Sequence, residues 1–292
     1  MEHLLHRLRA QPAFTMVAIL NLALGIGASV AMFSVVYGAL LQPLSYPQPA
    51  ELISVHETIP EFAARYPLIP VETGAYSAWR ERATTLAGLA LFEPTALDLT
   101  GRGEPQHLHA EQVSASMFSV LGVRPRLGRG FVPSDDQPGH VHVVVLSDAL
   151  WRSEFHADPG ILGQALDLNG QPNQVVGVMA PGFRFPFAEE LGPIIGSDPE
   201  AAAPPQLFQP AGVDLARNHF ENWNYGVFAR LRPGVAAAQA QAELQVLTTA
   251  ALHADKASIP HIGVVVTRSA TKLPGVTRWD FGFCSGRSAP SC

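Results

Sequence analysis

The sequence predicts an α+β protein: one N-terminal transmembrane helix followed by a mixed α+β extracytoplasmic domain of two subdomains. Three observations carry this. No charged residue occurs from Ala10 to Ala50, and the densest apolar stretch is residues 14–41. As a helix that stretch would be roughly 40 Å long, more than the ~30 Å hydrocarbon core requires. Beyond Leu44 the texture turns mixed and water-soluble, and strands and helices alternate irregularly, with hairpins instead of a steady βαβ rhythm.

The helix has clear ends. Pro12 sits at its start, where a missing backbone N–H costs little, and Pro43, Pro47 and Pro49 stop it. Arg7 and Arg9 precede it, whereas the next charges are Glu51, Glu57 and Glu61. The positive-inside rule therefore places the amino terminus in the cytoplasm and exports the remainder. A cleavable signal peptide is the rival, with small residues at Ser29-Val30-Ala31. Signal cores run about 7–15 residues, however, and this apolar run is far longer. Within it Ala23, Gly27 and Ala31 recur every four residues, with Gly25 and Ser29 as a parallel row, a spacing that lets another helix approach closely in lipid. Asn21 is the most polar group of the span.

The soluble elements follow in order. Residues 73–91 (TGAYSAWRERATTLAGLAL) read as an amphipathic helix, with Tyr76, Trp79, Ala83 and Leu86 at helical spacing. Residues 96–100 and 106–113 alternate as a strand pair about the Gly101 to Gly103 turn. Residues 116–121 form a short helix and 122–131 an arginine- and glycine-rich loop. Residues 141–146 are a β-branched buried strand, and 148–155 a helix leading into the Asp158-Pro159-Gly160 turn. Residues 165–168 and 174–178 form a hairpin through Asn169-Gly170, the strongest short turn signal. Residues 189–205, rich in Pro, Gly and Ala, read as a mobile loop. A strand over 223–231, a helix over 235–253 opened by Pro233-Gly234, and a strand over 262–267 complete the pattern.

Composition removes several function classes. The 292 residues carry a formal net charge of −6 and only two lysines, Lys256 and Lys272, which opposes phosphate-backbone binding. Both cysteines, Cys284 and Cys292, lie in the last nine residues, so neither a zinc cage nor a disulfide framework organises the main body. No GxxxxGK[ST], HExxH, CxxC or GxSxG motif is present. His107-x-His109 and His140-x-His142 each share one strand face, but they have no third placed ligand. Asp135-Asp136 after Pro133-Ser134 reads as a turn pair. Arg124, Arg126 and Arg129 crowd one loop. Trp79, Trp151 and Trp223 read as core. No catalytic constellation assembles, and no cofactor is implied.

Three ordered stretches carry a more specific signal. The first runs from Arg7-Leu8-Arg9-Ala10-Gln11-Pro12 through Leu22-Ala23-Leu24-Gly25-Ile26-Gly27-Ala28 to Leu40-Leu41-Gln42-Pro43-Leu44-Ser45-Tyr46-Pro47. The second is Val113-Ser114-Ala115-Ser116-Met117-Phe118 with Leu121-Gly122-Val123, Pro125 and Leu127-Gly128-Arg129-Gly130-Phe131. The third begins Val145-Leu146-Ser147-Asp148-Ala149-Leu150-Trp151-Arg152 and continues through Leu168-Asn169-Gly170 to Val176-Gly177-Val178-Met179 and Gly182-Phe183. Together they resemble ABC transporter permeases of the MacB/FtsX type, especially the large acidobacterial-style group, with a MacB-like periplasmic core domain. Residues 206–267 fit that domain more loosely.

The resemblance implies a cytoplasmic N-terminus (1–13), a transmembrane helix (14–42), a periplasmic core domain (43–270) and a divergent or frame-shifted tail (271–292). It implies a single-pass permease subunit of the bacterial inner membrane, not an enzyme. ATP hydrolysis by a separate ABC ATP-binding subunit would drive periplasmic conformational change for efflux or envelope export. The implied partners are that subunit, a second permease copy, the lipid bilayer and an envelope protein. Ala23, Gly25, Gly27 and Ala31 are the candidate helix-packing residues, and Arg7, Arg9, Pro43 and Pro47 the candidate coupling and hinge residues. Such permeases carry at least three further membrane helices, and no second apolar run of that length follows residue 50, so a truncated chain is expected. The alternative is an anchored extracytoplasmic binding module without transport.

Overall fold

The computed structural model describes residues 16, 20–27, 29–30, 46–101, 103–140, 142–186, 204–215, 223–255 and 261–268. The chain divides into two units, Met1–Leu44 and Ser45–Cys292. In the first, Met16, residues 20–27, Ser29 and Val30 are helical, and Leu20, Leu22, Leu24, Ile26 and Val30 are exposed. The Ser29 hydroxyl donates to the Gly25 carbonyl at 2.8 Å, one turn back. Among the described residues no helix is long and apolar enough to cross a membrane. The rest of the span expected at 14–42 lies outside them, as do the expected segments 1–13 and 271–292 and most of the 189–205 loop.

Among its described residues the second unit has fourteen labelled elements: β1 (Leu52–Thr58), α1 (Thr73–Arg82), β2 (Leu86–Thr100), β3 (Gln106–Val113), α2 (Met117–Leu121), β4 (Leu127–Gly128), β5 (Val143–Leu146), α3 (Asp148–Phe155), β6 (Ala165–Leu168), β7 (Gln171–Val178), β8 (Leu207–Pro210), β9 (Gly226–Leu231), α4 (Ala237–Asp255) and β10 (Gly263–Arg268). All ten strands belong to one sheet. The folded part is one compact unit on one sheet, within which two halves share one strand.

The first half is a split βαβ arrangement. Its chain order is β1, α1, β2, β9, α4, β10, and its spatial order β10-β1-β9-β2 has every neighbour antiparallel. Apolar residues of these strands pack with Tyr76 and Trp79 of α1 and Leu244 and Leu252 of α4. Trp79 Nε1 donates to Thr248 Oγ1 at 2.9 Å and to the Leu244 carbonyl at 3.1 Å, which removes the cost of burying an indole N–H. At the sheet edge α4 reaches β10. Val264 N donates to Gln245 Oε1 at 2.8 Å and Val266 N to Gln241 Oε1 at 3.1 Å, while Gln245 Nε2 donates to the Ile262 carbonyl at 2.8 Å.

The second half is inserted between β2 and β9. It is a closed ring of six strands, β2-β3-β8-β5-β7-β6, in which β6 returns to β2 through Leu99↔Leu168 and Thr100↔Asp167. Every ring strand sends apolar side chains into one core, with Leu150, Trp151 and Phe155 of α3 against it. The Ser147 hydroxyl caps α3 by accepting from Leu150 N at 3.1 Å. Asn169 and Gly170 both have positive φ (52° and 76°), the geometry of the two-residue hairpin turn expected there.

β2 holds the halves together. Its 15 residues span roughly 50 Å, pairing first with β9 and later with β6. At the junction lies a seam of phenylalanines. Phe92 stacks on Phe228 (centroids 4.9 Å apart) and meets Phe185 edge-on at 5.2 Å. Phe208 joins Phe185 to Phe118 and Phe183, and Phe118 continues to Phe131.

Several expectations need correction. The helix over 73–91 ends at Arg82, and residues 86–91 belong to β2. The cause is tertiary: Glu243 of α4 accepts from the amides and hydroxyls of Thr84 and Thr85, fixing a bend between the helix and β2. β1 and β8 were not expected, and the loop over 122–131 contains the short β4. The strand expected from Trp223 begins at Gly226, the strand from Val141 begins at Val143, and the last helix covers Ala237–Asp255.

Candidate functional site

Of the candidate packing residues, Ala23, Gly25 and Gly27 lie in the described helical stretch. A Cβ at Gly25 or Gly27 would meet nothing within 4 Å. Ala31, Arg7, Arg9 and Pro43 lie outside the described residues. Pro47 is described, and several contacts converge on it.

The chain enters that unit through Tyr46-Pro47-Gln48 and a 3₁₀ turn at Pro49–Glu51. Gln48 adopts φ 50°, a left-handed conformation uncommon for a residue with a Cβ, and its carbonyl accepts from Glu51 N at 3.0 Å. Arg230 of β9 grips this linker. Its Nη1 donates to the carbonyls of Pro47 (3.2 Å) and Gln48 (3.4 Å), and lies 3.7 Å from Glu51 Oε2. Its Nε donates to the Val120 carbonyl, in α2, at 2.9 Å. Gly122, with φ +72°, lets Pro47 close in: a Cβ there would stand 3.2 Å from Pro47 Cγ. The buried Tyr46 hydroxyl donates to the Arg184 carbonyl. Two anchors therefore fix the linker.

Buried acids form a second feature. Glu57 of β1 is fully buried; its Oε2 accepts from Trp223 Nε1 (3.1 Å) and Glu72 N (3.2 Å). Glu72 in turn caps α1, accepting from Gly74 N and Ala75 N. Burial, aided by the Glu72 charge, pushes the Glu57 carboxyl well above the carboxylate range. Glu111 of β3 is buried in register with Phe208, and burial together with Glu93 pushes it up to about 8. Burial alone lowers the His56 imidazole to about 4. In each case burial favours the uncharged form.

The remaining candidates have structural partners. His107 Nδ1 and Asp98 Oδ1 are 2.7 Å apart on an exposed face, and the His107 and His109 rings are 6.4 Å apart. His140 Nδ1 lies 3.2 Å from the Pro138 carbonyl, while the His142 carbonyl accepts from Gln174 N. Among the described residues no group of three or more His, Cys, Asp or Glu is disposed to hold a metal. Asp135 accepts from both terminal nitrogens of Arg129 and from Val132 N. Burial works against the Asp135 charge, but these donors win and hold the carboxyl below its usual value. Asp136 accepts from Ala115 N and Gly212 N, each at 2.8 Å, stitching the end of β3 to the segment after β8.

Sequence reasoning missed Arg230 and Glu57. The available signal was a charge inside an otherwise apolar strand: Gly226-Val227-Phe228-Ala229-Arg230-Leu231 has Arg230 on the same face as Phe228.

Comparison with known proteins places this geometry. The sequence profile of the family described as "MacB-like periplasmic core domain" matches residues 15–247. No curated protein matches the chain. Among solved structures, the periplasmic region of MacB from Actinobacillus actinomycetemcomitans is similar at a TM-score of 0.51. Its identity is 15%, over 76% of this chain and 90% of that one. A domain assigned to a permease protein of Porphyromonas gingivalis gives 0.53 at 13% identity, over 77% and 93%. At such identity these likenesses speak to the fold alone.

Proposed function

Because this chain belongs to the family of MacB-like periplasmic core domains, we propose that it is a membrane-anchored permease subunit, or the N-terminal part of one, of an ABC transporter. In this reading a helix within residues 14–42 anchors it in the bacterial inner membrane with the N-terminus cytoplasmic and the folded unit periplasmic. A separate ATP-binding subunit hydrolyses ATP, and a paired permease copy moves with it. The movement passes through the linker into the periplasmic unit, for efflux or export to an envelope partner. The chain itself performs no bond chemistry; its residues act as interfaces and levers.

The observation that carries the reading is the family match across residues 15–247, reaching from the apolar segment into α4. The exposed apolar side chains at Leu20, Leu22, Leu24, Ile26 and Val30 support a lipid-facing helix. Ala23, Gly25 and Gly27 would face the second copy, because small side chains allow close helix approach in lipid.

Affinity purification of the tagged full chain from membranes of its native host tests this. A P-loop ATPase should co-purify in stoichiometric amount, and its hydrolysis rate should change on reconstitution with the chain. A chain that extracts without detergent, or purifies from membranes alone, would sink the transporter reading.

A further inference from the structure

We propose that Arg230 is the positioning residue that passes displacement of the linker at 46–48 into the phenylalanine seam joining the two halves of the periplasmic unit. This rests on the transporter reading above and names the side chain that reading lacks.

The argument follows the contacts outward from the linker. Tyr46 is anchored on the carbonyl of Arg184, which stands between Phe183 and Phe185, and both rings belong to the seam. Pro47 and Gln48 are anchored on Arg230, two residues from Phe228 on the same face of β9, and Phe228 stacks on Phe92. Arg230 also holds the Val120 carbonyl of α2, the helix that carries Phe118 against Phe131, Phe183 and Phe208. The linker therefore touches the seam from β9, from α2 and from the segment after β7.

Arginine suits the position because a planar fork binds carbonyls in fixed, divergent directions, whereas an ammonium would bind them as a point. Three backbone carbonyls from two distant segments share one guanidinium whose side chain is 13% exposed. None of the three can shift far without dragging another. Energetic coupling travels through contiguous packed contacts of this kind, and only a measured dependence between two sites establishes it.

A double-mutant cycle read by residue-resolved hydrogen exchange tests the proposal on the full chain in detergent micelles, without an ATPase. Tyr46→Phe removes one linker anchor. The readout is exchange at Gly122 and Val123, whose amides donate to the Ser119 and Phe118 carbonyls of α2. In the native background, Tyr46→Phe should accelerate exchange at these two amides by about threefold or more. In the Arg230→Gln background the same substitution should leave them unchanged, while Glu51 N, which donates to Gln48, already exchanges fast. Arg230→Lys keeps the charge without the fork and should behave as Arg230→Gln does; it also serves if the glutamine variant fails to fold. An equal Tyr46→Phe effect in both backgrounds would overturn the proposal. So would full rescue by lysine, or faster exchange spread uniformly through β5 and β7. Because no ATP-binding subunit takes part, its absence in the purification above would leave this result readable.

Discussion

Gly226 and Phe92 face each other across the β2–β9 ladder, and the glycine is there because the ring is. A Cβ built on Gly226 would lie 2.2 Å from Phe92 Cζ, 2.5 Å from Cε1 and 2.8 Å from Cε2. Ordinary carbon contacts start near 3.5 Å, so the ring would have to retreat by about 1.3 Å. It has nowhere to go, being 1% exposed and held between Phe228 and Phe185. Gly226→Ala should therefore cost about 3 kcal/mol, the upper end of ordinary overpacking. Phe92→Ala should cost about 3–5 kcal/mol by leaving a cavity in the seam. Together they should cost no more than Phe92→Ala alone, since the new methyl then occupies vacated space. A guanidinium titration of the full chain in mild detergent, followed by tryptophan fluorescence, measures all three. Trp79 lies in the first half and Trp151 in the ring, so variants retaining only one of the two as fluorophore test whether the halves unfold together. Additive costs, or a Gly226→Ala cost below about 1 kcal/mol, would refute the steric argument.

Three further outcomes follow from the same reasoning. Burial opposes the Glu243 charge, but the hydroxyls and amides of Thr84 and Thr85 overcome it and lower the carboxyl to about 2. Its contribution to stability is thus present above pH ~4.5 and lost as pH falls toward 2; Glu243→Gln should flatten denaturation midpoints measured across that window. Glu111 carries the opposite sign, because its folded carboxyl holds a proton up to about 8. Its contribution is intact below pH ~4.5 and declines as pH rises through 8, so Glu111→Gln should be less destabilised by a shift from pH 5 to pH 8 in thermal melts. Gly128 has φ +69°, and a Cβ there would stand 2.1 Å from the Val176 carbonyl oxygen. Gly128→Ala should break the β4–β7 pairing, seen as faster exchange at Arg126 and Arg129, whose amides donate to Val178 and Val176.

Local signals in the chain were legible wherever chemistry and geometry sat within a few residues. Asn169-Gly170 marked its hairpin, Ser147 sat one residue before a helix that starts at Asp148, and the segment holding Gly101 and Gly103 joined two paired strands. Illegible features depended on distant partners. Residues 86–91 lack β-branched side chains and look helical, yet Glu243, about 160 positions away, pins the residues before them. β1 is buried on both faces and shows no alternation, so periodicity could not mark it. Arg230 meets its carbonyl partners 110 and 183 positions away, and nothing near it in the chain announces them. Of the proposed hinge residues only Pro47 falls where the structure can be read, and there its carbonyl is held by an arginine.

The two glutamines that α4 sends to β10 bear on how this unit can meet another protein. An edge strand ordinarily offers a free row of amides and carbonyls to any extended peptide, and much protein recognition works by adding one more strand. Here the outward amides at Val264 and Val266 already have side-chain acceptors, and the ring in the other half closes on itself. A visitor to the β10 edge would have to displace Gln241 and Gln245 before its own backbone could pair. Strand addition at this edge therefore competes with two glutamines for the same backbone groups, which raises the cost of pairing there for a partner and for a misfolded neighbour alike.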